Sequence, residues 1–230
     1  MATVTGGPLE KLGEFALRFV RPGYTIGLGT GRAATAFIRA LGKSGIKVRG
    51  VPTSLASEEL ARQYHIELTT LGEAKKLDVD LDGADEVDPR LNLIKGYGGA
   101  LVREKIVAAA SKRFIVLVGP EKLVPRLGAH KRLPVEVVPF ARDYVAHRVK
   151  MLGLKARDRL NGDGSEFLSD NGNPILDLAV GEIRNPERLE RDLLAIPGVV
   201  GTGLFVKMAS MVLVAGEDGR PPRTIKPKNH

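Results

Sequence analysis

The sequence predicts an α/β protein, with a mostly parallel sheet that carries helices on both faces and a smaller α+β part. Two observations indicate this class. Up to Val118, short apolar runs alternate with segments of helical periodicity, which is the pattern of βαβ units. After about Gly128 this alternation gives way to strands, two turns rich in Asn and Gly, and two further helices. The run 114–118 is apolar throughout, as expected for a central strand covered on both faces.

Composition excludes several classes of protein. The chain has 230 residues and a mass of 24.7 kDa, with 43% hydrophobic and 27% charged residues, which excludes disorder, collagen and coiled coil for the whole. The absence of cysteine excludes disulfides and thiolate metal sites and fits a reducing cytoplasm, which is the expected location. No apolar run approaches the ~20 residues of a membrane span. Residues 1–8 lack the basic start and apolar core of a signal peptide, so we expect none.

The net charge of +8 has a local source. Residues 219–230 contain four basic residues, three prolines and no acid, and we expect them to form a solvated tail. The rest of the chain is mildly basic, which suits an anionic small-molecule substrate. A nucleic-acid-binding surface needs basic residues clustered among aromatics, and aromatics are only 5% of this chain. We therefore expect neither a nucleic-acid partner nor a membrane partner.

Periodicity and capping residues predict the elements of the first part. Apolar residues at helical spacing predict a helix over 8–20, which the Arg-Pro-Gly sequence at 21–23 ends. A later helix begins at Ser54 or Ser57, both suitable capping residues, and runs to about Tyr64. The other helices are expected at 33–41 and 100–111, and the strands at 24–28, 48–51, 66–68, 77–81 and 114–118.

The second part has the pattern of a small α+β domain. Asn and Gly residues predict hairpin-type turns at 161–164 and 170–173. Helices are expected at 141–151 and 186–194, and apolar strands at 135–138, 175–180 and 199–206. A last apolar strand, 211–214, fits back into the first sheet. The predicted organisation is therefore a larger domain of residues 1–130 with 206–230, and an inserted domain of residues 131–205.

Glycines 27, 29 and 31 follow the first strand and precede a helix. Such a turn lets backbone N–H groups approach an anion at the helix N-terminus. A dinucleotide fingerprint is excluded, because Arg32 stands where its third glycine belongs and no acid lies about 20 residues further on. Two alternatives remain equal on this motif alone: a phosphate of a smaller ligand, with Thr30 and Arg32 as donors, or a tight turn without a ligand.

Six acidic residues lie between positions 78 and 88. The start of this segment matches a calcium loop, but Pro89 occupies the position that needs a bidentate glutamate. Asp82 and Asp85 flank a glycine turn directly after a strand, where open α/β sheets bind ligands. Crowded carboxylates there suit acid–base chemistry. For Glu86 and Asp88 we favour a solvated acidic loop.

A glycine loop follows at 95–99 and leads into a helix. Lys95 would place a positive charge beside the two aspartates. Glu104 lies in the first turns of the helix, with Leu101 and Ile106 expected on the packed side. It either points at the loop or is a surface glutamate, and spacing alone does not decide. The four histidines have no ligand spacing, so no metal site is expected.

Taken together, these segments resemble the type A ribose-5-phosphate isomerase family, which are metal-free aldose–ketose isomerases. The blocks Asp82-Gly-Ala-Asp and Lys95-Gly-Tyr-Gly-Gly-Ala are the most specific ones. The resemblance runs from about residue 8 to 215 in the family's order. Its other segments are Gly27-Leu-Gly-Thr-Gly, Val51-Pro-Thr-Ser, Leu91-Asn-Leu-Ile-Lys-Gly, Gly98-Gly-Ala-Leu-Val-Arg-Glu-Lys-Ile, Leu133-Pro-Val-Glu-Val-Val-Pro-Phe, Ile196-Pro-Gly-Val-Val and Thr202-Gly-Leu-Phe.

The resemblance implies a fold, a reaction and a set of site residues. The fold is a Rossmann-like domain with a small ferredoxin-like insertion. The reaction interconverts D-ribose 5-phosphate and D-ribulose 5-phosphate in the pentose phosphate pathway, with no cofactor. Glu104 would be the proton-transferring base, Asp82 and Asp85 would assist ring opening, and Lys95 would stabilise the enediolate oxygen. The implied substrate-binding residues are Thr30, Gly31, Arg32, Ala33, Gly83, Ala84, Gly96, Tyr97, Gly98 and Lys122.

One departure and two alternatives accompany the resemblance. The family's phosphate turn usually continues Gly-Thr-Gly-Ser-Thr, whereas here Arg32 and Ala33 replace the last two hydroxyl residues. Arginine grips phosphate bidentately, so the change predicts either binding with altered geometry or a shifted substrate preference. The alternatives are a non-catalytic sugar-phosphate sensor domain and a coenzyme A transferase. The family also implies a homodimer or homotetramer.

Overall fold

The structure is a computed structural model that describes residues 7–217 and 219–227. The chain divides into two compact units. Unit 1 comprises the described residues up to Ala84, Arg103–Leu123 and those from Met208 onwards, and unit 2 comprises Asp85–Val102 and Val124–Lys207. Unit 2 thus includes residues 85–102 and 124–130, which the sequence assigns to the larger domain. As limits of domains, the boundaries at 130/131 and 205/206 stay a prediction.

A seven-stranded sheet forms the centre of unit 1. Its order is β14-β13-β7-β4-β1-β2-β3, and every pair is parallel except β13 with β14. The prediction that 211–214 rejoins the first sheet is confirmed, because this strand pairs with β7. The strands are β1 (Thr25–Leu28), β2 (Arg49–Pro52), β3 (Glu67–Leu68), β4 (Val79–Gly83), β7 (Phe114–Val118), β13 (Met211–Val214) and β14 (Arg223–Ile225).

Helices cover both faces of this sheet, as predicted. In β1, Ile26 and Leu28 pack in one apolar cluster with residues of α1 and α2. The residue between them, Gly27, faces the opposite side, where Val107 of α5 lies against it. This is the two-residue alternation of a strand. The helices are α1 (Pro8–Ala16), α2 (Arg32–Ser44), α3 (Leu55–Gln63), α4 (Leu71–Ala74) and α5 (Leu101–Ala110).

The ends of these elements follow local chemistry. Of the two capping residues that the sequence offers, Ser54 caps α3, and Ser57 completes a capping box with it. A second capping box, made by Thr70 and Glu73, begins α4, a one-turn helix that the sequence did not predict. Hydrogen bonds from the Thr70 backbone N–H, and from the side-chain hydroxyls of Thr69 and Thr70, lower the pKa of Glu73.

The expectation of a solvated C-terminal tail is wrong for its middle residues. Residues 223–225 form β14, which pairs antiparallel with β13 at the edge of the sheet. The prolines lie outside the paired residues, so the strand keeps its backbone donors. Lys228 lies outside the described residues.

Unit 2 contains a four-stranded antiparallel sheet with two helices. The element sequence is β-α-β-β-α-β, and the sheet order β11-β8-β10-β9 places the fourth strand beside the first. This is the ferredoxin-like topology that the family resemblance implies, and it agrees with the small α+β domain predicted from the sequence. The elements are β8 (Leu133–Val137), α6 (Arg142–Met151), β9 (Lys155–Asp158), β10 (Ile175–Ala179), α7 (Pro186–Leu194) and β11 (Val199–Thr202). Of these, β9 was not predicted.

A second, three-stranded sheet of unit 2 consists of very short strands. Its order is β12 (Leu204–Phe205), β6 (Leu93–Ile94) and β5 (Glu86–Val87), all antiparallel. The single strand expected over 199–206 is therefore wrong, since β11 and β12 belong to different sheets. The break is at Gly203, where a side chain would overlap the backbone of Lys95 and the ring of Pro134.

Glu86 corrects the expectation of a solvated acidic loop. Its side chain is 1% exposed, and its carboxylate accepts N–H bonds from Gly128, His130 and Lys131 at 2.5–2.8 Å. Asp88 is partly buried and organises its own turn by accepting bonds from the backbone and side chain of Asn92. Both acids are therefore structural. Over the described ranges, no helix is long and apolar enough to cross a membrane.

We predict that Glu86→Ala destabilises the protein strongly. Three buried or partly buried N–H groups would lose their acceptor, which lowers the free energy of unfolding by at least about 3 kcal/mol. Urea unfolding of this variant, beside Glu14→Ala on the exposed face of α1, measures the effect. Equal midpoints for the two variants would contradict this role for Glu86.

Candidate active site

The turn after β1 in unit 1 has the geometry of an anion site. Gly31 has φ +94° and is the N-cap residue of α2, a conformation that favours glycine. Arg32 and Ala33 are the first residues of this 13-residue helix, whose N-terminal N–H groups have no partner within the helix. The helix dipole adds a partial positive charge at this end. The structure thus places three residues of the predicted phosphate turn at one helix N-terminus.

Thr30 connects this turn to the neighbouring strand end. Its hydroxyl lies 2.7 Å from the hydroxyl of Thr53 and donates to that of Ser54 at 2.8 Å. Thr53 and Ser54 follow β2, the parallel neighbour of β1, so all three lie at the carboxyl edge of the sheet. Sequence reasoning treated Ser54 only as a cap and gave Thr53 no role. The register of β1 against β2, which the sequence does not reveal, brings them together.

Asp82 lies at the end of β4 and is fully buried. Its Oδ1 accepts the N–H of Thr30 at 2.8 Å and that of Gly83 at 2.6 Å. Gly29 faces it across the sheet, and a Cβ at position 29 would overlap both the carboxyl group and Cα of Asp82. The glycine turn is therefore required by the aspartate as well as by the helix.

Glu104 is a buried glutamate and not a surface one. It lies in the first turn of α5 and is 3% exposed. The sequence left these alternatives open, and the structure excludes the exposed one. Leu101 is buried as expected, but Ile106 is 48% exposed, so its assignment to the packed side is wrong. Because Glu104 is in the first turn, its carboxylate lies beside the N-terminal N–H groups of this helix.

Asp85 and Lys95 of unit 2 are held by the three-stranded sheet. Asp85 directly precedes β5 and Lys95 directly follows β6, so the antiparallel pairing brings them to the same end of this ribbon. The backbone N–H of Asp85 donates to Ile94 at 2.8 Å, and that of Lys95 donates to Gly203 at 2.9 Å. Lys95 is 2% exposed, and its ammonium lies 5.5 Å from the ring centroid of Phe205. Backbone hydrogen bonds of the sheet thus fix the positions from which the side chains of Asp85 and Lys95 extend.

The glycine loop after Lys95 turns sharply twice. Gly96 has φ +102° and Gly99 has φ +84°. The Tyr97 N–H between them donates to Asp85 Oδ2 at 3.1 Å, and the Tyr97 hydroxyl accepts the N–H of Arg132 at 2.8 Å. Burial raises the pKa of the Tyr97 phenol, and the negative charges of nearby carboxylates add to that rise. The phenol therefore stays protonated at neutral pH.

The predicted site residues are divided between the two units. Lys122 ends a short 3₁₀ turn after β7, another strand whose carboxyl end lies at the edge that carries Thr30 and Asp82. Among residues 7–217 and 219–227, no group of three His, Asp or Glu side chains has the arrangement of a metal site. Unit 1 holds Thr30, Gly31, Arg32, Ala33, Asp82, Gly83, Ala84, Glu104 and Lys122. Unit 2 holds Asp85, Lys95, Gly96, Tyr97 and Gly98.

Comparison with known proteins agrees with this geometry. Residues 49–219 match the family model of ribose 5-phosphate isomerase A (phosphoriboisomerase A). A ribose-5-phosphate isomerase A of Roseiflexus sp. (strain RS-1) is 49% identical over 91% of this chain and 92% of its own length. That of Agrobacterium fabrum is 46% identical over 91% and 94%.

Solved structures show the same fold. The ribose 5-phosphate isomerase A of Methanocaldococcus jannaschii has a TM-score of 0.90 at 40% identity, covering 95% of this chain and 98% of that one. A D-ribose-5-phosphate isomerase in complex with phospho-erythronic acid has a TM-score of 0.91 at 36% identity, covering 95% and 97%. The likeness therefore extends over both units.

The fold and the matches over nearly the whole chain place the protein in the class of sugar-phosphate isomerases. Within that class, the chain belongs to the ribose 5-phosphate isomerase A family. It is an aldose–ketose isomerase, and the alternatives of a sensor domain and a coenzyme A transferase are excluded.

We predict that Gly29→Ala displaces Asp82. The added methyl group has no room, because the atoms it meets include the Asp82 backbone. Overpacking of this kind lowers the free energy of unfolding by about 1–3 kcal/mol. Urea unfolding measures it, and Gly162→Ala, where the new methyl meets nothing within 4 Å, is the matched control. Indistinguishable stabilities would refute the close packing described.

Proposed function

We propose that this chain interconverts D-ribose 5-phosphate and D-ribulose 5-phosphate, with Glu104 as the base. The observation that carries the proposal is the buried carboxylate of Glu104 in the first turn of α5. Proton abstraction beside a carbonyl needs a positioned base and stabilisation of the oxyanion that forms. A carboxylate held at a helix N-terminus meets the first need.

A single base is enough to move the proton between C2 and C1. In the open-chain aldose, Glu104 removes the proton from C2, and the electrons move onto the C1 carbonyl to give a 1,2-enediolate. Returning that proton to C1 makes the ketose, while the hydroxyl proton of O2 moves to O1. No group is oxidised or reduced from outside, so the reaction needs no redox cofactor.

The other charged residues support this proton transfer. The Lys95 ammonium stabilises the negative oxygen of the enediolate, which makes the C2 proton easier to remove. Asp82 and Asp85 assist ring opening and the movement of the hydroxyl proton. Their carboxylates are held by backbone N–H groups, of Thr30 for Asp82 and of Tyr97 for Asp85. Such donors hold a carboxylate in place without surrendering a proton themselves.

The phosphate group is assigned to the N-terminus of α2. Thr30, Gly31, Arg32 and Ala33 offer a hydroxyl, backbone N–H groups and a guanidinium. Lys122 adds a second cation. The sugar is assigned to the two glycine turns, with contacts from Gly83, Ala84, Gly96, Tyr97 and Gly98. Phospho-erythronic acid, found in the related structure, is a phosphorylated sugar acid, which supports this class of ligand.

The remaining assignments concern the setting of the enzyme. We assign it to the pentose phosphate pathway in the cytoplasm, as a homodimer or homotetramer that acts without a metal ion. Family membership supports the pathway and the metal independence. The Lys95 ammonium offers the positive charge that a metal ion would otherwise supply to the enediolate.

We predict that Glu104→Gln abolishes isomerisation. Glutamine keeps the shape but cannot accept the proton, so kcat falls by about a thousandfold or more. Ketose formation from ribose 5-phosphate is followed in excess chelator, with Glu14→Gln as an exposed control. Substantial activity in the Glu104→Gln variant would exclude this base, and a requirement for added metal in the wild type would exclude the metal-free mechanism.

We predict that Arg32→Ala weakens substrate binding more than turnover. One lost charge-assisted contact to phosphate raises KM about tenfold while kcat changes little. Arg39→Ala on the same helix, also exposed, is the matched control. Steady-state kinetics with ribose 5-phosphate measures both constants. An unchanged KM would remove Arg32 from the phosphate site.

A further inference from the structure

Unit 2 contains a largely buried ion pair that the reaction scheme leaves without a role. Arg159 follows β9, and its side chain is only 10% exposed. Its guanidinium donates to both carboxylate oxygens of Asp177 on β10, at 3.1 and 2.5 Å. Ion pairs this buried are seldom needed for stability, because removing both charges from water offsets most of their attraction. The pair therefore calls for a further explanation.

The rest of the Arg159 guanidinium faces the glycine loop. Its Nη1 donates to the carbonyl of Gly96 at 2.7 Å and to that of Tyr97 at 3.2 Å. The guanidinium also lies 5.5 Å from the ring centroid of Tyr97 and 5.7 Å from that of Phe167. Phe167 in turn covers Gly99, where it leaves no room for a side chain. Arg159 thus contacts Gly96 and Tyr97 directly, and Gly99 through the ring of Phe167.

The peptide unit between Gly96 and Tyr97 transmits this contact to Asp85. Its carbonyl accepts from Arg159, and its N–H donates to Asp85 Oδ2 at 3.1 Å. The C=O and N–H of a trans peptide point in opposite directions, so the two partners hold the peptide plane from opposite edges. A cation on the carbonyl polarises the peptide and strengthens its N–H as a donor. Asp177, Arg159, the peptide and Asp85 therefore form one continuous chain of hydrogen bonds.

We propose that Arg159 is a positioning residue for the isomerase reaction, which acts through the Gly96–Tyr97 peptide on the carboxylate of Asp85. The proposal rests on the function assigned to Asp85 and Lys95 above. Lys95 precedes the same peptide, so its backbone direction is set by the same contact. Asp177 holds the guanidinium with two hydrogen bonds, which fixes the plane that the loop carbonyls meet.

A neighbouring ion pair provides a matched control. Arg142 of α6 makes a two-point contact with Asp158, the last residue of β9 and the one before Arg159. Both pairs join an arginine to an aspartate at two points, and Asp158 and Arg159 are neighbours at the end of β9; the control pair is the more exposed of the two, at 38% and 35%. None of the contacts described for it involves the glycine loop. If the loss of any ion pair beside β9 lowers activity, removing either pair will lower it. If the effect acts through Asp85, only removal of the Arg159 pair will lower it.

The test replaces each whole pair by apolar residues of similar volume. The variants are Arg159→Met with Asp177→Leu, and Arg142→Met with Asp158→Leu. Removing both partners leaves no unpaired buried charge, so both proteins are expected to fold. Thermal unfolding of each variant checks this before kinetics with ribose 5-phosphate.

The two readouts are kinetic and local. We expect the Arg159/Asp177 variant to lose up to about 100-fold in kcat, as misplacement by about an ångström does, with a much smaller change in KM. Hydrogen exchange of the Tyr97 amide should become faster in this variant and stay unchanged in the control. A folded variant with wild-type kcat and wild-type exchange would overturn the proposal, as would equal losses from both pairs.

Chemical rescue separates positioning from a general loss of structure. Arg159 borders a cleft of about 550 Å³ that also reaches Arg157 and Asp177, so a small cation can enter from solvent. Millimolar guanidinium should restore part of the kcat of Arg159→Ala, and potassium at equal ionic strength should not. Equal responses to both cations would count against positioning. An inert wild type would overturn the proposed function, whereas amide exchange needs no substrate and still decides whether Arg159 holds the peptide.

Discussion

The close approach of β1 to β4 is the constraint on which the rest of unit 1 depends. Asp80 and Asp82 of β4 are both fully buried, and each faces a glycine: Gly27 in the neighbouring strand β1, and Gly29 just after that strand. A carboxylate inside a covered parallel sheet needs space and hydrogen-bond donors. The glycines provide the space, and the turn that follows them provides Thr30 N–H as a donor. The acid and the glycine turn are thus parts of one arrangement.

Sequence reasoning found both halves of this arrangement but not their connection. Gly29 was identified as part of a turn, and Asp82 as an acid after a strand, because each has a local signal. Their contact depends on the register Gly27 to Asp80, which is a property of two strands more than 50 residues apart. The same limit explains why Thr53 was not identified, since its hydroxyl is brought beside that of Thr30 only by strand pairing. Most helices and strands of unit 1 were predictable, since apolar periodicity and caps are local; α4 and β14 were not.

Charged residues were the least predictable from sequence. Glu86 lies in a run of acids and was expected in solvent. It is buried, and its carboxylate accepts three backbone N–H groups from a distant segment. Glu104 is flanked by two cations and is equally buried. Arg223 begins an edge strand in a segment expected to be free. In each case tertiary donors or an exposed sheet edge decide the outcome, and no pattern within a few residues records them.

Arginine side chains hold some of the carboxylates in this protein, and backbone N–H groups hold others. Asp158 and Asp177 accept from arginines, which fix a carboxylate by opposite charge. Asp82 and Asp85 accept from backbone N–H groups, of Thr30 and Tyr97. An amide donor orients the oxygen and offsets its desolvation, and it has no proton that it can give up at neutral pH. Backbone donors do not by themselves define a catalytic carboxylate, since Glu86 accepts three of them and is structural. Under the role proposed for Arg159, its charge acts on Asp85 from one peptide away, where it strengthens the Tyr97 amide as a donor without contacting the carboxylate.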